Sequence, residues 1–458
     1  MRSRHLLIGA ALGCAALFLC ACAFLLVGGG VSFLVARDVL DPALPTRDPN
    51  RTPPPAPTPG AETLAEMDAI QAWVIRQRGL QPNDDGVTRR FLSREQMLDR
   101  TLEMFAKETT PEEVADDVRV LAVLGLLKPG TDLYRIYVRM QSEGVVGFYD
   151  PETGELVVVS DDSHLNAYER STFAHEYNHA LQDQNYDFEA LGFSEEGWEA
   201  DSERAAGVRA LLEGDSSLLD EQYTATLSAD EKREYDRQAY SLESFLLVFR
   251  LPPFLLQDFA FPYTYGKEFV RRYYDEGGWA RVDEVWADPP VSTEQILHPG
   301  RYEAGDDPLP VPRPVLTDTL GSGWRQIDQN VMGEWYTYLI LAWGDAARAR
   351  LPDDQAASAA EGWGGDAYTV FHNDEADQTV LALHTEWDTA ADADEFAAAF
   401  AEYAGGRFGE PARTGAGGAC WEGAERHCLY VRGAHTLWLA APDQAMIDTL
   451  RAAFPDVE

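Results

Sequence analysis

The feature that most constrains this chain is a run of helix-forming residues, 171 to 181, that contains the pattern His-Glu-x-x-His. Residues four apart lie on one face of a helix, so the side chains of His175 and His179 can reach a single ion. Glu176 would then lie beside a water molecule bound to that ion. Because the run contains no internal Pro or Gly, it predicts a helix over about residues 168 to 184.

This residue set is typical of a zinc-dependent hydrolase. Imidazole nitrogens are common zinc ligands, and zinc lowers the pKa of a bound water to about 7. A neighbouring carboxylate can take the proton of that water and pass it to a leaving amine. We therefore predict Zn²⁺ as cofactor, His175 and His179 as zinc ligands, Glu176 as general base, and a peptide or protein as substrate.

The third protein ligand of such a zinc must come from elsewhere in the chain. Glu199, Glu203 and Glu213 share one face of a helix predicted over about residues 196 to 213, and Glu196 lies at its start. Glu199 and Glu213 would lie about 21 Å apart on a straight helix, so both cannot bind one ion. Spacing alone leaves the choice among these glutamates open.

Three stretches resemble a group of bacterial extracytoplasmic His-Glu-x-x-His metallopeptidases of gluzincin type. They are His175 to Gln184 (HEYNHALQDQ), Ala210 to Asp215 (ALLEGD) and Pro290 to Pro299 (PVSTEQILHP). The resemblance covers most of residues 140 to 345 and, more faintly, the C-terminal part. It implies a zincin-like peptidase domain, with Glu213 as the third zinc ligand.

His298, in the last of these stretches, is a further catalytic candidate. Zinc peptidases often use a His or a Tyr to donate a hydrogen bond to the oxyanion of the reaction, and we predict this role for His298. The alternative is a histidine that packs or caps before Pro299. Glu294 is a candidate for orienting a zinc-bound imidazole.

The N-terminal segment, residues 1 to 36, predicts a membrane anchor. An apolar run from Leu6 to Ala36 follows two arginines, and it is long enough to span a bilayer of roughly 30 Å. We expect a single anchor with the catalytic part outside the cytoplasm. A cleaved signal peptide of a secreted protein and a lipoprotein anchored near Cys22 are the alternatives. Residues 37 to 60 are proline-rich and predict an extended linker.

The fold class that we predict is α+β. Residues 61 to 350 are expected to form a mostly helical zincin-like domain, with a small sheet ahead of the motif helix that is built from a hairpin around residues 150 to 154. Residues 351 to 458 are expected to form a small α+β accessory domain. Cys420 and Cys428, if exported, are predicted to form a disulfide, with two unrelated thiols as the alternative.

One further local signal is strong enough to predict helix ends. Thr110 followed by Pro111 and Glu113 indicates a capped helix start, and the apolar pattern continues to about Leu127 before Pro129.

The formal net charge of −40 argues against nucleic acid as a partner, because a phosphate backbone would be repelled. The sequence does not indicate an oligomeric state. A second interpretation of the function is a catalytically inactive or latent protein of peptidase fold that acts as a binding or scaffold module at the cell surface.

Overall fold

The computed structural model of the protein describes residues 54–83, 86–108, 110–192, 194–415 and 418–457. The predicted anchor and most of the predicted linker lie outside the described residues. Among the described helices, none is both long enough and apolar enough to cross a membrane.

Helices make up most of the described chain. In chain order they are α1 (Ala61–Arg78), α2 (Arg94–Glu108), α3 (Pro111–Leu124), α4 (Leu133–Arg139), α5 (Ala167–Asn185), α6 (Glu195–Ala200), α7 (Ser202–Thr226), α8 (Ala229–Ala239), α9 (Leu242–Arg250), α10 (Pro253–Phe261), α11 (Lys267–Gly277), α12 (Trp279–Ala287), α13 (Thr293–Leu297), α14 (Pro299–Ala304), α15 (Thr317–Leu320), α16 (Gly333–Trp343), α17 (Asp353–Ala360), α18 (Ala390–Phe408) and α19 (Gln444–Arg451). Two π-helical segments, Met140–Gly144 and Pro262–Gly266, and a short 3₁₀ turn, Pro455–Val457, complete the helical elements.

The strands form two sheets. They are β1 (Thr88–Leu92), β2 (Gly147–Asp150), β3 (Glu155–Val159), β4 (Trp324–Asn330), β5 (Trp363–Asn373), β6 (Gln378–Trp387), β7 (Arg413–Gly415), β8 (Gly418–Glu422), β9 (Arg426–Arg432) and β10 (His435–Ala441). The first sheet has the order β1-β3-β2 and the second the order β4-β5-β6-β10-β9-β8-β7. The predicted α+β class is confirmed, as is the hairpin of β2 and β3 ahead of the motif helix.

The C-terminal sheet is antiparallel throughout and pairs Cys420 of β8 with Cys428 of β9. The two cysteines form the predicted disulfide. The strand β4, which precedes residue 350, belongs to this sheet through its pairing with β5. One continuous hydrophobic core joins this sheet to the helical region, with Leu121 of α3 and Leu381 of β6 among its members.

Local capping explains where α3 begins. Thr110 accepts a hydrogen bond from the backbone N–H of Glu113, and the Glu113 side chain accepts from the backbone N–H of Thr110, as the sequence predicts. The predicted end near Leu127 is wrong by three residues. Gly125 adopts φ 87°, a left-handed conformation that favours glycine, and it ends the helix before Pro129 is reached.

The helix predicted over residues 196 to 213 is divided in two. Asp201 has an extended backbone, and its side chain accepts hydrogen bonds from the backbone N–H groups of Glu203 and Arg204. This cap ends α6 and begins α7, which then continues to Thr226. The break removes the common helix face on which the sequence placed Glu199 with the later glutamates.

The motif helix α5 lies between other elements rather than at the surface. A second hydrophobic cluster packs it against α1 and the first sheet, through residues such as Met67, Leu156 and Phe173. Its N-terminus is fixed by a capping box of Asn166 and Glu169. Because α5 is buried along most of its length, the side chains of its motif face the interior.

Candidate metal centre

The helix α5 brings the three motif residues together. His175 is fully buried, and the solvent-exposed fraction is 4 % for Glu176 and 8 % for His179. The two imidazole rings lie with their centroids 4.7 Å apart. One donor atom from each of His175, Glu176 and His179 lies within 4.8 Å of the others. Within the described ranges, this is the one group of three or more His, Cys, Asp or Glu side chains that lie close enough together to hold a metal ion.

Glu213 of α7 completes this group. Its Oε2 atom lies 3.3 Å from Nε2 of His175 and 3.3 Å from Nε2 of His179. Its side chain is almost fully buried. Both histidines therefore direct the same type of nitrogen toward one carboxylate oxygen of the residue that the resemblance implies as third ligand.

The other candidates for the third ligand are placed elsewhere. Glu203 is buried and accepts hydrogen bonds from the backbone N–H and the hydroxyl of Thr293, at 2.6 and 2.5 Å. It precedes Glu213 by ten residues on α7, a rise of about 15 Å. Glu199 lies on α6, before the break at Asp201. The side chain of Glu196 lies outside the described part.

Polar partners orient the ring of His179. Its Nδ1 atom lies 2.8 Å from Oε1 of Gln182 and 3.2 Å from Oγ of Ser216. The amide nitrogen of Gln182 donates to the backbone carbonyl of Leu212, so Oε1 is the atom that faces the ring. Nδ1 must then carry a proton, so Nε2 is the ring nitrogen left to bind a metal. This arrangement is the one that metal-binding histidines require.

The ring of His175 is held differently. Its buried Nδ1 atom has no hydrogen-bond partner among the residues that the structure describes. Asp220 lies about one helical turn beyond Ser216 on α7. Burial raises the pKa of Asp220, and the nearby His175 only partly offsets this effect. Asp220 also accepts a hydrogen bond from the Ser171 hydroxyl of α5. It therefore adds a buried carboxylate near the metal centre.

The electrostatics of the group favour positive charge between the side chains. Burial alone would lower the pKa of His179, but the Glu213 carboxylate raises it to about 9. Burial alone would raise the pKa of Glu213, but the two imidazoles hold it well below its usual range. Burial raises the pKa of Glu176, and the neighbouring histidines only partly offset this. Two buried carboxylates thus lie close to the two imidazoles, an arrangement that favours a positive charge among them.

The carboxylate of Glu176 is fixed from the first sheet. The backbone N–H of Tyr149 donates to its Oε2 atom at 2.7 Å. The backbone N–H of Val159 in β3 donates to the carbonyl of Val146, just before β2. Hydrogen-bonded and non-hydrogen-bonded pairs alternate along an antiparallel ladder. The backbone groups of Gly147 and Tyr149 are therefore directed away from β3. The edge strand β2 therefore presents these backbone groups to the side on which Glu176 lies.

The π-helical segment 262–266 covers another side of the group. The ring of Tyr263 is stacked against the ring of His175, with centroids 6.4 Å apart. The segment approaches α7 so closely that a Cβ atom on Gly214 would lie 2.2 Å from the carbonyl oxygen of Gly266, and one on Gly266 would lie 2.2 Å from that of Ala210. Glycine at both positions is what permits this contact next to Glu213.

His298 and Glu294 take part in a different group. Nε2 of His298 lies 2.8 Å from Oε1 of Glu334, which raises the pKa of His298. Glu294 lies 3.3 Å from Arg301 rather than against an imidazole. In the described contacts, neither residue touches His175, Glu176 or His179. The catalytic role of His298 therefore stays a prediction that these contacts do not support.

Several residues around the centre were not singled out from the sequence. Gln182 is three residues after His179 on the same helix, so its spacing was a usable signal. Tyr149, Tyr263 and Asp220 reach the centre through tertiary packing, and nothing in their local patterns indicates that contact.

Comparisons with known proteins concern another part of the chain. A family model described as a domain of unknown function (DUF8575) matches residues 319–451, which include all seven strands of the C-terminal sheet. No curated protein matches the chain, and no solved structure matches it either. The candidate metal centre lies outside the matched residues, so its function is inferred from its own geometry.

Proposed function

We propose that this chain is a zinc-dependent peptidase, with His175, His179 and Glu213 as zinc ligands and Glu176 as general base. The observation that carries the proposal is the convergence of two Nε2 atoms on one Oε2 atom, each at 3.3 Å, beside a second buried carboxylate. Two imidazoles and a carboxylate are the donor set of gluzincin-type zinc sites.

The donor set fits zinc in its protonation as well as its identity. The hydrogen bond from Nδ1 of His179 to Gln182 leaves Nε2 free to bind a metal. The low pKa of Glu213 keeps this carboxylate ionised. When bound, zinc supplies a Lewis acid that polarises a substrate carbonyl and lowers the pKa of a water molecule.

Glu176 is the residue that we expect to move the proton. Its carboxylate lies next to the donor atoms of both histidines, and the N–H of Tyr149 holds one of its oxygens in place. Burial raises its pKa, which makes it a stronger base than an exposed glutamate. It can take a proton from the attacking water and transfer it to the leaving nitrogen of the peptide.

The strand β2 supports a peptide as the substrate. It is the edge strand of the first sheet, and its alternate backbone groups are directed toward Glu176. An extended peptide that hydrogen-bonds beside this edge would run past the general base, in the manner of strand addition. We further propose that the apolar N-terminal run anchors the enzyme to a membrane, with the catalytic part outside the cytoplasm.

The second candidate is a protein that keeps the metal centre without turning over substrate. This alternative predicts zinc binding without hydrolysis, so one set of measurements separates it from the peptidase.

The test compares the full-length chain with the variant Glu176→Gln, which keeps the shape of the side chain but cannot accept the proton. Zinc content and hydrolysis of casein are measured on both. The matched control is Glu268→Gln, which changes an exposed glutamate in the first turn of α11.

We expect one zinc per chain in all three proteins, and hydrolysis in the parent and the control alone. Zinc in all three without hydrolysis of casein or of a mixed peptide library would favour the scaffold interpretation. A parent that holds no stoichiometric zinc would refute the proposed metal centre.

A further inference from the structure

A buried arginine from the N-terminal helix reaches the region behind the metal centre. The guanidinium of Arg78, near the end of α1, is fully buried and donates from Nε and Nη2 to both oxygens of Asp215, at 2.8 to 3.1 Å. Its Nη1 atom donates to Asp283 at 2.7 Å, and Nη2 also donates to the Tyr186 hydroxyl at 3.0 Å. All three nitrogens of the planar guanidinium fork of Arg78 thus donate hydrogen bonds, a geometry that lysine cannot reproduce.

Asp215 joins this arginine to the two helices that carry the candidate ligands. It belongs to α7, two residues after Glu213, and its Oδ1 atom accepts a hydrogen bond from Nδ2 of Asn178 at 2.9 Å. Asn178 belongs to α5 and lies between the two motif histidines. Trp286 donates to the other oxygen of Asp215, also at 2.9 Å. Asp215 therefore fixes the position of α5 relative to α7 at the level of the metal centre.

We propose that Arg78 is a positioning residue for the metal centre, and that α1 is a fixed part of the catalytic unit. The inference rests on the proposed zinc site. The fork of Arg78 holds Asp215 in one orientation, and Asp215 holds Asn178. The distance between the histidine Nε2 atoms and the Glu213 carboxylate depends on how α5 is turned against α7. Loss of the fork should therefore change the ligand geometry, and not only the stability of the fold.

A second arginine allows these two effects to be separated. Arg170 of α5 pairs with Glu66 of α1 at 3.2 Å and with Glu231 of α8 at 2.8 Å. It ties the same helix pair, α1 and α5, but its described contacts do not include Asp215. The variant Arg170→Met should therefore lower stability without changing the metal centre.

The experiment uses the full-length parent, Arg78→Met, Arg78→Lys and Arg170→Met. Zinc affinity is measured by competition with a chelator, the ligand geometry from the visible spectrum of the cobalt-substituted protein, and the stability of the metal-free protein from thermal unfolding. We expect Arg78→Met to bind zinc about tenfold to 100-fold more weakly, the range found when groups that support metal ligands are removed, and to shift the cobalt bands. Arg78→Lys should show the same changes to a smaller degree, and Arg170→Met neither.

If Arg78→Met does not fold, Arg78→Lys decides, because it retains the buried charge and loses only the fork. Parental zinc affinity and cobalt bands in Arg78→Lys, or in a folded Arg78→Met, would overturn the positioning role while leaving the zinc site intact. A parent without zinc would instead refute the proposed function itself, so the two failures are distinguishable.

Discussion

The substitution Gly214→Ala tests how closely the π-helical segment must approach α7. A Cβ atom at this position would lie 2.2 Å from the carbonyl oxygen of Gly266, 2.3 Å from its carbonyl carbon and 2.8 Å from the backbone nitrogen of Lys267. All three are backbone atoms, so no side chain can turn away to relieve the contact. Roughly 1 Å of separation between the two elements is needed to restore ordinary contact at 3.4 Å.

The expected loss of stability follows from that displacement. Extra methyl groups in a well-packed interior cost about 1–3 kcal/mol, and a contact between rigid backbones belongs at the upper end, near ~3 kcal/mol. The displaced elements also carry Glu213 and Tyr263, whose side chains contact His175. Misplacement by about 1 Å can lower a catalytic rate by about 100-fold. We therefore expect Gly214→Ala to lose both stability and peptidase activity.

Denaturant unfolding of the metal-free protein and hydrolysis of casein measure the two effects. The control is Gly405→Ala in α18, where a Cβ atom meets nothing within 4 Å and a gain of up to about 1 kcal/mol is expected in the helix. The reasoning is refuted if Gly214→Ala unfolds within about 0.5 kcal/mol of the parent, the usual range for a substitution without a structural cause.

Three further predictions concern the ligand, the fold and the edge strand. Glu213→Gln should weaken zinc binding by more than about 100-fold, because losing a ligand costs more than losing its support. Glu203→Gln should bind zinc normally, since Glu203 lies about 15 Å along α7 from Glu213 and accepts its hydrogen bonds from Thr293. Chelator competition checks both, and the reverse result would make Glu203 the ligand. Burial raises the pKa of Asp328 from 3.8 to about 6, so the folded state loses stability as the pH rises from 3.8 to 6. In urea unfolding, Asp328→Asn should therefore raise the free energy of unfolding by about 3 kcal/mol at pH 8 and by about half of that at pH 5. An equal gain at both pH values would contradict this origin. Gly147→Ala places a Cβ atom 3.0 Å from the carbonyl of Val157, so it should displace β2 and lower kcat in steady-state hydrolysis, and unchanged kinetics would show that the position of β2 does not matter.

The parts of the structure that could be predicted are those determined by neighbouring residues. The capped start of α3 at Thr110 depends on side chains within one turn of it. The motif helix α5 depends on an uninterrupted run of helix formers, and its spacing alone places His175 and His179 on one face. The break at Asp201 is also local, but its signal was hidden because the helical pattern continues on both sides of it.

The rest of the centre depends on packing between distant segments. Spacing left four glutamates open as the third ligand, and resemblance rather than periodicity indicated Glu213. Tyr149 contributes only its backbone N–H, so no property of its side chain could indicate the contact with Glu176. Arg78 lies 137 residues before Asp215, and a lone arginine near the end of a helix is usually exposed.

The main alternative to a metal centre is a buried ion pair in which Glu213 only satisfies the two histidines. That arrangement needs an Nε2–H on both rings, since both Nε2 atoms face the same carboxylate oxygen. The Nδ1 atom of His179 already carries a proton, because it faces the amide oxygen of Gln182. A second proton on Nε2 would make the ring a buried cation, which the Glu213 carboxylate stabilises by raising the pKa of His179 to about 9.

A divalent ion between the side chains removes this requirement. It would accept the Nε2 lone pairs of two neutral imidazoles and balance the charges of Glu213 and Glu176 together. In an ion pair, the two imidazoles and the N–H of Tyr149 only partly offset the burial of Glu176. Burying a charge without a full partner is costly, so a pair of carboxylates this deep in the core is better explained by a cation that both of them face. The burial of Glu176 close to Glu213 is thus an observation, besides the His-Glu-x-x-His spacing, that supports the proposed metal centre.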